Sequence, residues 1–123
     1  MQAIVTTLDG YQKEAARSAV YPGWCAPMYL GLKLAGEAGE VAEEIGKAMR
    51  ARTLRPVVCE NCLDVSTELV DDAVRERLLR ELGDVLWYTS EMARVMGYTL
   101  SDVANINLFK LHQREAEGTL ISR

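Results

Sequence analysis

Two pairs of carboxylates, each spaced by three residues, mark this chain as a place where hard cations could be held: Glu37 with Glu40, and Glu81 with Asp84. On a helix, that spacing sets side chains ~5–6 Å apart on one face. Glu44 extends the first strip, so that Glu37, Glu40 and Glu44 fall within about 60° of one another on a helical wheel. Packed helices lie ~8–10 Å apart, close enough for four inward carboxylates to converge on one or two ions. Oxygen-only ligands suit magnesium or manganese rather than zinc. Carboxylates that close repel one another, and bound cations relieve the repulsion. The plain alternative for the first strip is a solvated acidic border beside an apolar face. Glu81 is harder to dismiss. It falls inside the apolar stripe of Val74, Leu78, Val85 and Met92, where an unpaired carboxylate is costly. Its ordinary partners would be Lys47, Arg77 or Arg80.

A second constellation lies near the C-terminus. Asn107, Lys110 and Arg114 share an arc of about 60° with Val103. Two cations and an amide on one face can hold phosphate oxygens, Arg114 bidentately and Lys110 as a point charge. For Arg114, a salt bridge to Glu117 or to another helix is the competing reading. The aromatic residues Trp24, Tyr29, Trp87, Tyr88 and Phe109 read first as core or interface. Trp24 and Tyr29 would line a base pocket if the first linker folds over the site, and Tyr88 lies between Glu81 and Asp84 in angle. Cys59 and Cys62 have zinc-knuckle spacing, but no second pair follows, and structural zinc wants four ligands. A chance or merely structural pair is the main reading, and a zinc shared between subunits is the alternative. His112 receives no catalytic role. No Gly-rich phosphate loop is present, because the Gly36–Gly39 region lies within a helical pattern and lacks the lysine of such a loop.

Four helices suffice to position these groups. The first spans roughly Leu8–Ala19 with Asp9 as cap, ended by Pro22–Gly23. The second runs from about Pro27 to Arg52, ~39 Å long. The third covers about Glu68–Val95, capped by Ser66 or Thr67 and stopped by Gly97. Ser101 caps the fourth, which reaches about Glu117. A linker near residues 53–66, centred on Arg55–Asp64, carries Pro56 and Asn61, and no segment alternates enough to require a sheet. In the second helix, Leu34, Ala38, Val41, Ile45 and Ala48 form an apolar stripe. Beside it, Gly31, Ala35, Gly39, Ala42 and Gly46 form a stripe of glycine and alanine alone. Each interior glycine costs ~1 kcal/mol of helix propensity, which close approach of another backbone would offset. Two apolar sides on one helix predict that part of its surface meets another subunit.

The bulk composition is compatible with one all-α domain over residues 1–123. The chain is 49% hydrophobic, as folded domains are. Its net charge of -4 disfavours a stable nucleic-acid complex. Met1–Leu8 lacks the basic start and apolar run of a secretory leader, and no stretch of 18 uncharged apolar residues exists for a membrane span. Three cysteines are too few and odd for a disulfide framework. A cytoplasmic location is expected.

Leu32–Glu44, reading LKLAGEAGEVAEE, and Arg80–Tyr88, reading RELGDVLWY, resemble the two halves of the signature of MazG-like nucleotide pyrophosphohydrolases, a family of the all-alpha NTP pyrophosphatase superfamily. Asn107–Leu111 resembles a third family segment, in which Asn and Lys approach the ligand. The likeness spans about Tyr11 to Thr119. It implies a four-helix MazG-like bundle completed by oligomerisation, as a homodimer or homotetramer. It further implies Mg2+, replaceable by Mn2+, on Glu37, Glu40, Glu81 and Asp84. Glu44 joins these four as a catalytic candidate, because Glu40 or Glu44 could accept the proton of an attacking water. Asn107, Lys110, Arg114, Trp24 and Tyr88 are the expected substrate contacts. The implied reaction converts a nucleoside triphosphate and water to a nucleoside monophosphate and pyrophosphate, in keeping with housecleaning of nucleotide pools. The competing accounts are a dUTP- or phosphoribosyl-ATP-type pyrophosphohydrolase, and a catalytically inactive helical dimerisation or binding module.

Overall fold

A computed structural model describes residues 4–58, 65–69 and 71–119. It shows the all-α, four-helix bundle class anticipated from the sequence, with helices α1 (Leu8–Ala15), α2 (Ala26–Arg50), α3 (Asp72–Val95) and α4 (Leu100–Ala116). Short 3-10 turns cover Ala16–Ser18 and Gly23–Cys25. The linker corrects the expectation that no segment requires a sheet. Strands β1 (Leu54–Val58) and β2 (Val65–Leu69) form an antiparallel hairpin, in register from Leu54 opposite Leu69 to Val58 opposite Val65. Pro56, which reads as a breaker, is tolerated because each strand of a two-stranded sheet is an edge, so its missing N–H need leave no ladder bond unmade.

The helix caps also depart from expectation. Thr7, not Asp9, caps α1, its hydroxyl accepting the Gly10 N–H at 2.9 Å. The Asp9 carboxylate instead accepts the N–H of Ser101 at 2.9 Å. Ser66 and Thr67 belong to β2. The start of α3 is served by Asp71, whose carboxylate accepts the Ala73 N–H at 2.8 Å. Thr99 caps α4 in place of Ser101, forming a reciprocal capping box with Asp102. At the far end of α3, Gly97 adopts φ +84°, which a side chain would resist. There the Tyr98 N–H reaches the Ala93 carbonyl and the Gly97 N–H the Arg94 carbonyl, closing the helix.

The chain divides into two compact units, Leu32–Leu86 and the pair of segments Met1–Gly31 with Trp87–Arg123. In the first, Ala48, Val74 and Leu78 are buried, and Val41, Ile45 and Leu54 pack against them. These are the inward stripes of α2 and α3 closed by the start of β1. In the second unit, the amide of buried Gln12 donates to the carbonyls of Ser90 and Tyr98 and accepts the Leu100 N–H. Glu91 is fully buried on α3. It receives a hydrogen bond from the Tyr21 hydroxyl at 2.5 Å and from the Arg94 guanidinium at 2.8–3.2 Å. Among the described residues, no helix is long and apolar enough to cross a membrane.

Candidate functional site

Within the Leu32–Leu86 unit, α2 supplies Glu37 and α3 supplies Glu81 and Asp84. One carboxylate oxygen from each lies within 4.8 Å of the other two. Glu37 and Glu81 are half-buried and Asp84 is exposed. The spacing of three on α3 places Glu81 and Asp84 on neighbouring turns of one face. Glu40 is exposed and stands outside this trio, although its charge is felt at Glu81. Lys33, one turn before Glu37, lies 3.1 Å from the Glu37 carboxylate. That contact follows from an i,i+4 spacing and was open to sequence reading.

The three cations that could have neutralised Glu81 are engaged elsewhere. Arg77 Nε donates to Glu44 Oε2 at 2.9 Å, and Lys47 Nζ to Glu44 Oε1 at 2.7 Å. Arg80 pairs with Glu76 at 2.6 Å. Glu44 is buried with both oxygens occupied, and the hydrogen bonds from Lys47 and Arg77 hold its carboxyl below the usual range. Glu81 is shifted the opposite way. Desolvation pushes its pKa up, and the charges of Asp84, Glu40, Glu44 and Glu37 push it further. A half-buried carboxylate surrounded by like charges, with no cation paired to it among the described residues, suits a site that gains its positive charge from a bound ion. With oxygen donors only, and neither imidazole nor thiolate among them, the trio fits a hard divalent cation.

The other expected residues fall in the second unit. Asn107 and Lys110 are exposed on α4, while Arg114 is half-buried. The competing Arg114–Glu117 salt bridge does not form, and Glu117 instead accepts from the Gln113 amide at 3.3 Å. Trp24 is 89% exposed on the turn before α2. Tyr88 is half-buried, its ring edge-on to Trp87 at 4.8 Å. Trp87 donates its indole N–H to the Ala15 carbonyl and the Ser18 hydroxyl, in line with a packing role. Tyr29 stacks on Tyr21. Phe109 is exposed. Cys59 and Cys62, and with them the zinc reading, lie outside the described residues. The Tyr21–Glu91–Arg94 network was not anticipated. Its only sequence signal is the i,i+3 spacing of Glu91 and Arg94.

Comparison with known proteins follows the same residues. The sequence model of the MazG nucleotide pyrophosphohydrolase domain matches residues 27–119, a span that contains both acidic pairs and all of α4. Gene 37 protein of Mycobacterium phage L5 is 32% identical over 119 residues, covering 92% of this chain and 92% of the phage protein. No solved structure matches significantly.

Proposed function

Because this chain belongs to the MazG nucleotide pyrophosphohydrolase family, we propose that it hydrolyses nucleoside triphosphates to nucleoside monophosphates and pyrophosphate, with magnesium as its cation. The observation that carries this reading is the meeting of Glu37, Glu81 and Asp84 oxygens within 4.8 Å, with no cation paired to Glu81 among the described residues. In the proposal, Glu37, Glu40, Glu81 and Asp84 hold the ion, Glu40 swinging in from its exposed position one turn after Glu37. When bound there, magnesium would supply positive charge against the alpha-phosphate and pyrophosphate oxygens and would lower the pKa of a water it held. Glu40, which has no ion pair among the described residues, also serves as the acceptor for the water proton. Glu44 does not, since both its oxygens are engaged. Asn107, Lys110 and Arg114 hold phosphate oxygens, with Arg114 suited to a bidentate contact. Trp24 and Tyr88 contact the base.

The same reading makes the protein a homodimer or homotetramer and places it in the cytoplasm. Association is supported by the apolar side chains that the Leu32–Leu86 unit leaves exposed: Leu32 and Met49 on α2, and Leu79, Leu82 and Leu86 on α3. A Cβ added at Gly39 would meet nothing within 4 Å, so no other backbone of the described chain comes close at that point of the small-residue stripe. A panel of deoxy- and ribonucleoside triphosphates, incubated with magnesium and resolved by product, tests the activity. Monophosphate and pyrophosphate are expected, and diphosphate with inorganic phosphate would contradict the assigned bond. Silence across the whole panel would favour an inactive dimerisation module.

A further inference from the structure

The most unusual feature of the Leu32–Leu86 unit is where its cations go. Arg77 stands one helical turn before Glu81, a spacing at which an arginine and a glutamate ordinarily pair along a helix. Its guanidinium nevertheless reaches from α3 to Glu44 on α2. Lys47 converges on the same carboxylate and also touches Glu43 at 3.3 Å. Glu44 retains 9% of its side-chain exposure, whereas Lys47 and Arg77 retain nearly half of theirs. The anion is therefore the fixed member of this triplet, and the two cations are the members able to move.

Taking the cation site of the preceding section as the premise, we infer that Glu44 is a positioning residue that keeps Arg77, and with it Lys47, away from Glu81. It thereby leaves the Glu37–Glu81–Asp84 oxygens open to a divalent ion. Without the negative charge at Glu44, Arg77 loses a charge-assisted bond. On its own helix, Glu81 is the carboxylate at i,i+4 spacing from it, and Glu76 beside it is already paired with Arg80. A guanidinium seated there would supply in place the positive charge that the ion would otherwise bring, and would compete with it. The geometry supports this account, because no cation is paired to Glu81 among the described residues while its oxygen lies within 4.8 Å of those of Glu37 and Asp84.

The test compares the full chain with its Glu44→Gln, Arg77→Gln and doubly substituted variants, using Mn2+ as probe and electron paramagnetic resonance to count free ion. Glu44→Gln should bind Mn2+ about tenfold more weakly, on the scale of losing a group that supports metal ligands, and the double variant should recover most of that loss. Arg77→Gln alone should bind at least as tightly as the unaltered chain, an expectation that stands even if Glu44→Gln fails to fold. A crystal structure of Glu44→Gln should show the Arg77 guanidinium within ion-pair distance of Glu81. A guanidinium still directed at residue 44 would overturn the inference, because weaker binding would then reflect only loss of nearby negative charge. Equal Mn2+ binding by Glu44→Gln, or tenfold weaker binding by Arg77→Gln, would overturn it while leaving the cation site intact. Absence of Mn2+ binding by the unaltered chain would remove both readings together.

Discussion

At Glu81, removal of one charge should separate stability from activity. The pKa of this carboxylate is raised by burial and by four neighbouring acids. Its ionised form is therefore disfavoured in the folded chain relative to the unfolded one. The sign follows directly. Whatever stability Glu81 contributes is present while it is protonated, below its unfolded pKa, and is lost as pH rises through the raised folded value. Scanning calorimetry in chelator should accordingly show a penalty that grows across that interval. Glu81→Gln should abolish that part of the pH dependence and raise the midpoint at neutral pH. Added Mg2+ or Mn2+ should raise the midpoint of the unaltered protein and leave the variant nearly unchanged. Magnesium-dependent pyrophosphate release should fall at least about a hundredfold in the same variant, since the ion's charge stabilisation is worth several kcal/mol. A variant both less stable in chelator and fully active would contradict both halves. The acidic pairs themselves were legible from spacing alone. The pairing of Glu44 with Arg77 was not, because it joins residues 33 apart in sequence and depends on how α2 and α3 pack.

Buried polar clamps decide the element scale. Gln12 donates to the Ser90 and Tyr98 carbonyls and accepts the first N–H of α4, tying α1 to α3, to the turn after it and to the start of α4. Gln12→Ala leaves the Tyr98 carbonyl and the Leu100 N–H without this partner and should cost about 2–3 kcal/mol, measured by urea unfolding. Glu91 gives the complementary pH prediction. Burial pushes its carboxyl up, but hydrogen bonds from Arg94 and Tyr21 outweigh burial, and the net shift is downward. Its contribution is thus present above the unfolded pKa and is lost as pH falls through the lowered folded value. Glu91→Gln should cost about 2 kcal/mol at neutral pH, less than for a fully buried pair because Arg94 remains 44% exposed. The two unfolding midpoints should converge in acid, and a gap that persists there would assign Glu91 to packing alone. Apolar stripes recurring every three or four residues revealed α2 and α3, and capping and breaking residues bounded α1 and α4. Sequence reading missed the Leu54–Leu69 hairpin, because two five-residue strands around a proline carry too little alternation to stand out. It also placed the start of α3 too early, since Ser66 and Thr67 have capping side chains but stand in a strand, and Asp71 performs that task.

On the scale of the molecule, the question is what covers the leucines that the folded chain leaves outside. Leu79, Leu82 and Leu86 recur on α3 at helical spacing and are 69%, 50% and 39% exposed. On α2, Leu32 is 70% and Met49 64% exposed, with Ala35, Gly39 and Ala42 uncovered between them. Scattered apolar residues on a surface need no explanation, but aligned ones on two helices are what a partner surface would cover. If a second copy supplies it, the face must bury roughly 800 Å² per partner to hold a stable pair. Leu79→Lys and Leu82→Lys then report on association directly. On an isolated chain, a lysine at either position would shift stability by no more than about 0.5 kcal/mol, as surface changes usually do. In an associated form, it would bury an unpaired ammonium and drive the subunits apart. Light scattering on the eluted protein should therefore give a multiple of 13.7 kDa for the unaltered chain and a smaller mass for the double variant. The thermal midpoint of the unaltered protein should also climb with concentration, a dependence the variant should lose. A monomer of 13.7 kDa at every concentration, unmoved by the lysines, would show that these leucines are free of a second copy.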